Sequence, residues 1–439
     1  MSSKKKRISV VTLGCSKNSV DTEHLLSSLD PSLFEIVEFT QGTSVDVLLI
    51  NTCGFIADAK QESIEAVLQA CELKKKGRIG ELLVFGCLSQ RYASYLKEEM
   101  PEVDRWFGAR DLAPVLEYLG VRGAESVPNG RFKAQPKGYA YLKISEGCDR
   151  RCSYCAIPFI RGAHKSVPIE TLVQEARALA GSGVKELILI AQDTTYYGLD
   201  LYRKRSLGAL IDALSEVEGI EWIRIHYSYP ADFPEDVLDQ MAHNPKVCRY
   251  LDIPLQHISD NVLSNMHRGV DSAWTRTLIR TLRERVEGVV LRTTMIVGHP
   301  GEGQKEFEEL MDFVSEARFE RLGAFTYSEE DGTYASLNFA DSIPQEEKQR
   351  RLDTLMEIQR SISSGFNNSR IGSVVRVMVD DRVGDTLVCR SEFESPEVDG
   401  EILVKLKDEA QSVRIGDFIT VKIVSADDYD LTAEIVENK

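Results

Sequence analysis

Apolar and polar positions along the chain follow three successive patterns. Over the first 120 residues, short apolar runs at 8–13, 45–50 and 81–85 alternate with stretches of helical period, which predicts an open parallel α/β unit. The stretch 120–138 is rich in Gly, Pro, Ser and charge and has no period, so a boundary is expected there. From 139 to 328 six strand-like runs follow, at 141–145, 187–191, 222–227, 250–254, 290–297 and 322–327. Helical segments separate most of them, one with Pro168 in its first turn and one over 271–285. Six βα units in that length predict an open, partial parallel barrel rather than a closed eight-stranded one. A helix with the capping pattern Ser342-x-x-Gln345 is expected to run to about Ser361 and to stop at Ser-Ser-Gly-Phe-Asn-Asn-Ser. Beyond it the period changes to two, and runs at 374–379, 386–390, 401–406, 418–424 and 431–436 predict a small antiparallel β-barrel.

Composition narrows the class. The 439 residues are 43% hydrophobic and 28% charged, which excludes disordered, collagen-like and low-complexity chains. A net charge of −16 argues against a generic basic nucleic-acid coat. No apolar run approaches the ~18 residues a membrane span needs. Met1–Arg7 leads directly into a strand rather than a signal-peptide core, so a cytoplasmic location is expected and Lys4–Arg7 reads as a solvated tail. In such a chain nine cysteines point to free, metal-binding or catalytic thiols more than to disulfides.

The cysteines fall into groups. Cys148, Cys152 and Cys155 form C-x3-C-x2-C directly after a strand. A zinc site would need a fourth ligand; His164 is the nearest downstream candidate, and the chain has no second C-x2-C pair. Thiolates also select iron–sulfur clusters, where three ligands on a four-iron cube leave one iron open to a small molecule. Cys15, Cys53 and Cys87 are scattered, yet each follows a strand, and the carboxyl ends of parallel strands share one edge. Gly14 and Gly86 precede two of them and permit tight turns. Cys71 lies on the apolar face formed with Ile64, Val67 and Leu68 and reads as core, while Cys248 and Cys389 are isolated.

Taken together, Cys148-x3-Cys152-x2-Cys155 with Tyr154 resembles the cluster motif of radical S-adenosylmethionine enzymes, and Cys15, Cys53 and Cys87 resemble the auxiliary-cluster ligands of methylthiotransferases. The resemblance covers nearly the whole chain. It implies a methylthiotransferase N-terminal domain at 1–122, a radical S-adenosylmethionine domain at 137–366 and an OB-like TRAM domain at 368–439, with the turn Pro396-Glu-Val-Asp-Gly400. The segments Tyr141-Leu-Lys-Ile-Ser-Glu-Gly-Cys148, Cys155-Ala-Ile-Pro-Phe-Ile-Arg-Gly162 and Ala191-Gln-Asp-Thr-Thr-Tyr-Tyr-Gly198 are most similar to the RimO-type branch, which modifies an aspartate of small-subunit ribosomal protein twelve. A MiaB-like tRNA-modifying enzyme is the close competitor, and a non-catalytic iron–sulfur sensor is the reading from another class.

The resemblance implies two four-iron four-sulfur clusters, S-adenosylmethionine as both methyl donor and source of a 5′-deoxyadenosyl radical, and an external one-electron reductant. Tyr154, Gln192, Arg224, Gly298 and Glu302 are the expected cofactor contacts. In the late loop Val297-Gly-His-Pro-Gly-Glu-Gly303 the family commonly has Phe for His299 and Thr for Gly303. Other strand-end groups expected near the cavity are Asp193, His226, Gln256, His257 and Arg292.

The last domain bears on the substrate. Residues 368–439 hold nine basic and sixteen acidic residues, a net charge of −7. An acidic barrel attracts a basic protein and repels a polyanion, so a ribosomal protein is expected rather than tRNA. Glu392, Glu394, Glu397 and Asp399 are the acidic cluster expected to steer that partner.

Overall fold

The computed structural model describes residues 4–40, 42–121, 131–132, 137–406 and 413–436. Most of the boundary placed at 120–138 lies outside the described residues, as do Lys407, Asp408, Glu409, Glu437 and Lys439 of the charge count for 368–439.

Five parallel strands form the first sheet: β1 (Lys6–Thr12), β2 (Phe34–Ile36), β3 (Val45–Thr52), β4 (Ile79–Gly86) and β5 (Arg105–Trp106), in the order β2-β1-β3-β4-β5. β3 is buried on both faces, as a central parallel strand covered by helices must be. The two short edge strands escape the sequence pattern because two or three residues carry no period. Lys6 and Arg7 belong to β1 rather than to a tail, and Arg7 is tied to Asp46 and Ser44.

In the second unit β6 (Tyr139–Lys143) is followed by a ribbon of β7 (Ser145–Glu146) and β8 (Lys165–Ser166). Then come β9 (Glu186–Ile190), β10 (Trp222–Ile225), β11 (Val247–Asp252), β12 (Val290–Val297) and β13 (Arg321–Thr326). Six strands lie in parallel, in the sequential order β13-β12-β11-β10-β9-β6, an open half-barrel. Alternate residues such as Leu187, Leu189, Ile223, Ile225 and Leu251 face the covering helices and form the largest core. The other set, including Glu186, Arg224, His226 and Arg292, faces the concave side. The helix Asp271 was expected to open does begin at Ser272, with the Asp271 carboxylate accepting from the Trp274 amide at 2.7 Å.

β14 (Val374–Val383), β15 (Thr386–Arg390), β16 (Ile402–Lys405), β17 (Phe418–Ala426) and β18 (Leu431–Ile435) close a barrel. Its pairings are antiparallel except β16 with β18, which is parallel.

The helix before this barrel differs from the expectation. It spans Gln345–Ser369 with Pro344, not Ser342, at its N-cap, and it runs through the polar stretch. Two of those polar side chains are buried contacts: Ser363 donates to the Asp428 carbonyl at 2.7 Å and Asn367 to that of Asp427 at 3.2 Å. Tertiary partners override weak local helix propensity here.

The acidic cluster is corrected too. The segment between β15 and β16 enters the concave side of the half-barrel, so its carboxylates are docking groups rather than free surface. Glu392 pairs with Arg249 at 2.8 Å, Glu394 with Arg321 at 3.0 Å and Glu397 with Lys137 at 3.0 Å. Asp399 accepts from the Tyr250 hydroxyl at 2.6 Å. These four carboxylates are therefore committed to the preceding unit, and the −7 balance does not measure free surface charge. Among the described residues no helix is long and apolar enough to cross a membrane.

Candidate active site

β1, β3 and β4 are neighbours in the first sheet, so their carboxyl ends present Cys15, Cys53 and Cys87 at one edge. Two glycines make this possible. Gly14 has φ +88°, and a Cβ there would sit 2.6 Å from the Cys53 Cβ and 2.9 Å from its Sγ. Gly86 has φ +102°, and a Cβ there would meet the Thr52 carbonyl oxygen at 2.5 Å. The glycines give room to the neighbouring strand end, a more specific task than a permissive turn.

Cys148, Cys152 and Cys155 stand on the loop that leaves the β7–β8 ribbon. Its backbone is pinned by Cys148 N–H to the Gly162 carbonyl (3.1 Å), Ser153 N–H to that of Met266 (3.0 Å) and Ala335 N–H to that of Ser153 (2.8 Å). The two units dock so that all six thiols line one cavity of about 380 Å³. Tyr154, Gln192, Tyr227, Tyr229, Gln256, Phe325 and four cations, Lys17, Arg150, Arg161 and Arg268, complete the lining used below.

Each triad receives an arginine. Arg161 Nε donates to Cys87 Sγ at 3.4 Å, and the same buried guanidinium reaches Asp21 (2.7 Å) and Asn18 (2.6 Å). Arg268 Nη1 donates to Cys152 Sγ at 3.4 Å and to the Tyr154 hydroxyl at 3.3 Å. Behind them Glu146 binds Lys143 (2.8 Å) and Gln192 (2.8 Å). Burial alone would raise the Glu146 carboxyl, but Lys143 and Arg161 hold it down to about 2.

Burial pushes the Cys53 thiol up to about 11 and that of Cys148 up to about 12, and it raises Cys155 and Cys87 as well, Arg161 offsetting part of the rise at Cys87. Such thiols stay protonated at neutral pH unless a bound metal displaces the proton. Among the described residues no three Cys, His, Asp or Glu side chains close on the position of one ion. Six soft donors around a shared cavity, with arginine hydrogen bonds to sulfur and the buried Gln192 and Gln256 Oε1 atoms lacking partners, fit iron–sulfur groups beside a polar small molecule.

The remaining expected contacts separate. Tyr154 and Gln192 line the cavity. Arg224, Gly298 and Glu302 do not. Arg224 is fully buried at the opposite end, bound to Glu186 (2.8 Å) and the Glu392 carbonyl (2.7 Å), so it joins the half-barrel to the C-terminal barrel. Glu302 accepts from the Gly298 amide (2.8 Å) and from Arg351 (2.7 Å), bracing the late loop from behind. His299 lies edge-on to Tyr154 and Tyr327, with ring centres 6.3 and 4.9 Å away, so an imidazole occupies an aromatic position. Burial lowers it to about 4, which keeps it neutral.

Of the other strand-end groups, Gln256 lines the cavity and Asp193 holds Arg150 at 2.8 Å. His226 and Arg292 face the C-terminal segment, and His257 lies against Glu302. His164, the one candidate for a fourth zinc ligand, bonds to Ser166 Oγ at 3.0 Å away from the cavity. Cys71, Cys248 and Cys389 are buried in three separate cores. Sequence reasoning missed Lys17, Arg161, Tyr227 and Arg268. Arg161 and Lys17 stood two to six residues from cysteines already singled out, but their direction depends on how the two units dock.

A half-barrel that presents a C-x3-C-x2-C loop at the carboxyl ends of its strands, beside a second cysteine triad, defines a radical S-adenosylmethionine enzyme with an auxiliary cysteine site. Residues 142–314 match the radical SAM superfamily, 7–108 the uncharacterized protein family UPF0004 and 371–436 the TRAM domain. The chain is 50% identical over 433 residues to the ribosomal protein uS12 methylthiotransferase RimO of Cytophaga hutchinsonii, covering 99% of this chain and 98% of that one. It is 49% identical to the RimO of Bacteroides fragilis, covering 99% and 100%. In fold it is similar to the radical S-adenosylmethionine methyltransferase TsrM of Kitasatospora setae, with a TM-score of 0.56 at 16% identity over 76% of this chain and 77% of that one. The chain belongs to the RimO family of radical S-adenosylmethionine methylthiotransferases.

Proposed function

We propose that this protein transfers a methylthio group to the β-carbon of an aspartate in ribosomal protein uS12, with one four-iron four-sulfur cluster on each cysteine triad and S-adenosylmethionine beside Cys148, Cys152 and Cys155. The near-full-length identity to uS12 methylthiotransferases supports the substrate. The single observation that carries the chemistry is that six thiols from two units line one cavity. Bound there, these groups supply one-electron chemistry at a C–H bond that no side-chain acid or base can activate.

The protein's own residues ligate, orient and exclude water. Arg161 and Arg268 donate to cysteine sulfur, hydrogen bonds that would favour the reduced, more negative state of a cluster held there. The partnerless Gln192 and Gln256 oxygens are acceptors for hydroxyl or ammonium groups of the small molecule. Tyr154, Tyr229 and Phe325 give the cavity apolar, aromatic walls. An external one-electron reductant in the cytoplasm supplies the electrons, and tRNA is not a partner.

The test is anaerobic incubation of the reconstituted protein with S-adenosylmethionine, a reductant, and either uS12 or tRNA. Mass spectrometry is expected to find one hydrogen of a uS12 aspartate replaced by a methylthio group. Methylthiolated adenosine with unmodified uS12 would overturn the reading.

A further inference from the structure

Four cations line the cavity, and no carboxylate lines it. Three of the four already have a carboxylate or carbonyl partner: Arg161 pairs with Asp21, Arg268 donates to the Pro254 carbonyl at 2.5 Å, and Arg150 donates through its Nε to Asp193, its Nη2 keeping no partner. Lys17 differs from them. The residue is 8% exposed, and its ammonium rests 3.2 Å from the centre of the Tyr227 ring. Among the described residues no carboxylate, carbonyl or hydroxyl accepts a hydrogen bond from it. Asp21, one turn further along the same helix, is already held by Lys143 and Arg161.

Local structure does not account for a lysine at this place. It stands in the first turn of the helix Ser16–Ser27, where the positive end of the helix dipole disfavours a cation. A largely buried lysine without an acceptor is disfavoured again, and the aromatic face offsets only part of that.

The ring beneath it is strained into position. Tyr227 has φ +58°, a rare conformation for a bulky residue. It is fixed by its N–H donating to Asp252 (3.0 Å) and its carbonyl accepting from the Thr194 N–H (3.1 Å). Gln256, after the next strand and on the same cavity wall, has φ +75°. Two non-glycine residues held in the left-handed region on one wall mark a place where geometry has been kept against its local cost.

We propose that Lys17, held on the Tyr227 ring, is a specificity-determining residue that receives the side-chain carboxylate of the substrate aspartate. The proposal rests on the reading of the substrate as an aspartate of uS12. An ammonium that lines a cavity free of carboxylates and has no acceptor of its own selects an anion over its amide isostere, because an asparagine leaves the charge unpaired.

The experiment measures binding of uS12 to the reconstituted protein saturated with S-adenosylmethionine. The uS12 carries either the aspartate identified by mass spectrometry or asparagine at that position. Wild type is expected to prefer the aspartate form. Lys17→Met is expected to lose about 10- to 100-fold on the aspartate form and little on the asparagine form, so that the preference collapses, while Lys17→Arg restores most of it. Iron content should match wild type in both variants. An aspartate preference that survives Lys17→Met, an equal loss on both forms, or iron reduced to half would overturn the proposal, the last by making Lys17 a support of the first triad. A preference that disappears with Arg150→Gln but not with Lys17→Met would overturn it as well. If wild type modifies no aspartate of uS12, the substrate reading itself fails, an outcome visible before any variant is compared.

Discussion

Arg161 Nε lies 3.4 Å from Cys87 Sγ, although the two residues belong to different units of the chain. The same guanidinium reaches Asp21 and Asn18 of the first unit and Glu146 of its own. One buried side chain thus ties the first triad to the second unit, alongside the Lys143–Asp21 and Arg91–Glu330 pairs.

Removing that guanidinium leaves Asp21 to Lys143 alone and takes away the donor to Asn18 and Cys87. Arg161→Met is expected to destabilise the apoprotein by about 1–3 kcal/mol, since buried acceptors lose charge-assisted hydrogen bonds. Thermal melting measures this, and chelator challenge of the reconstituted protein should show faster iron release from the first triad than from the second.

Gly14→Ala places a Cβ 2.6 Å from that of Cys53 at a backbone angle that only glycine adopts easily. The expected outcome is a loss of about 1–3 kcal/mol in stability and of the iron held by the first triad, with the second triad still loaded. Iron analysis and thermal melting check both.

His226 reports the docking of the C-terminal barrel. Burial lowers it to about 3, and the neutral ring bonds to Ser395 Oγ at 2.9 Å. A folded value below the unfolded value of 6.5 contributes stability that is present above pH 6.5 and is lost as pH falls towards 3. The stability of wild type relative to His226→Gln should therefore fall by up to about 1.4 kcal/mol per pH unit over that window. Comparing the two proteins cancels the opposing contribution of Asp380, which burial raises to about 6 in both. A pH-independent difference between their melting curves would contradict the docking role.

Glu394→Lys is expected to undock or unfold the C-terminal barrel, at a cost of about 3–5 kcal/mol. The residue is 1% exposed between Arg321 and Arg370, whose guanidiniums hold its carboxyl at about 2 although burial alone would raise it. Proteolysis between the units and melting curves measure the effect, and added salt should not reproduce it, because buried pairs are weakly screened.

The strands were legible where periodicity was long: β12 and β15 coincide with their apolar runs, and the six-strand order follows from the sequential βα pattern. The cysteine triads were legible because three thiols at strand ends or in one loop are chemically conspicuous. Direction across domain boundaries was not. Arg224 and Gln192 both stand near strand ends, yet one faces the C-terminal segment and the other the cavity, a difference set by docking rather than by local pattern. The carboxylates between β15 and β16 looked like free charge because their partners, Arg249, Arg321 and Lys137, lie from tens of residues to more than two hundred earlier in the chain.

The central claim is that each of the two triads holds its own cluster around one shared cavity. Iron quantification with Mössbauer spectroscopy on three anaerobically reconstituted proteins tests it most directly. Wild type should hold about eight irons as two four-iron clusters, and replacing Cys15, Cys53 and Cys87 together by Ala should leave about four, as should replacing Cys148, Cys152 and Cys155. Cys71→Ala should change nothing, since that thiol lies in a helix core. Iron that stays at the wild-type level after loss of Cys15, Cys53 and Cys87 would contradict the account.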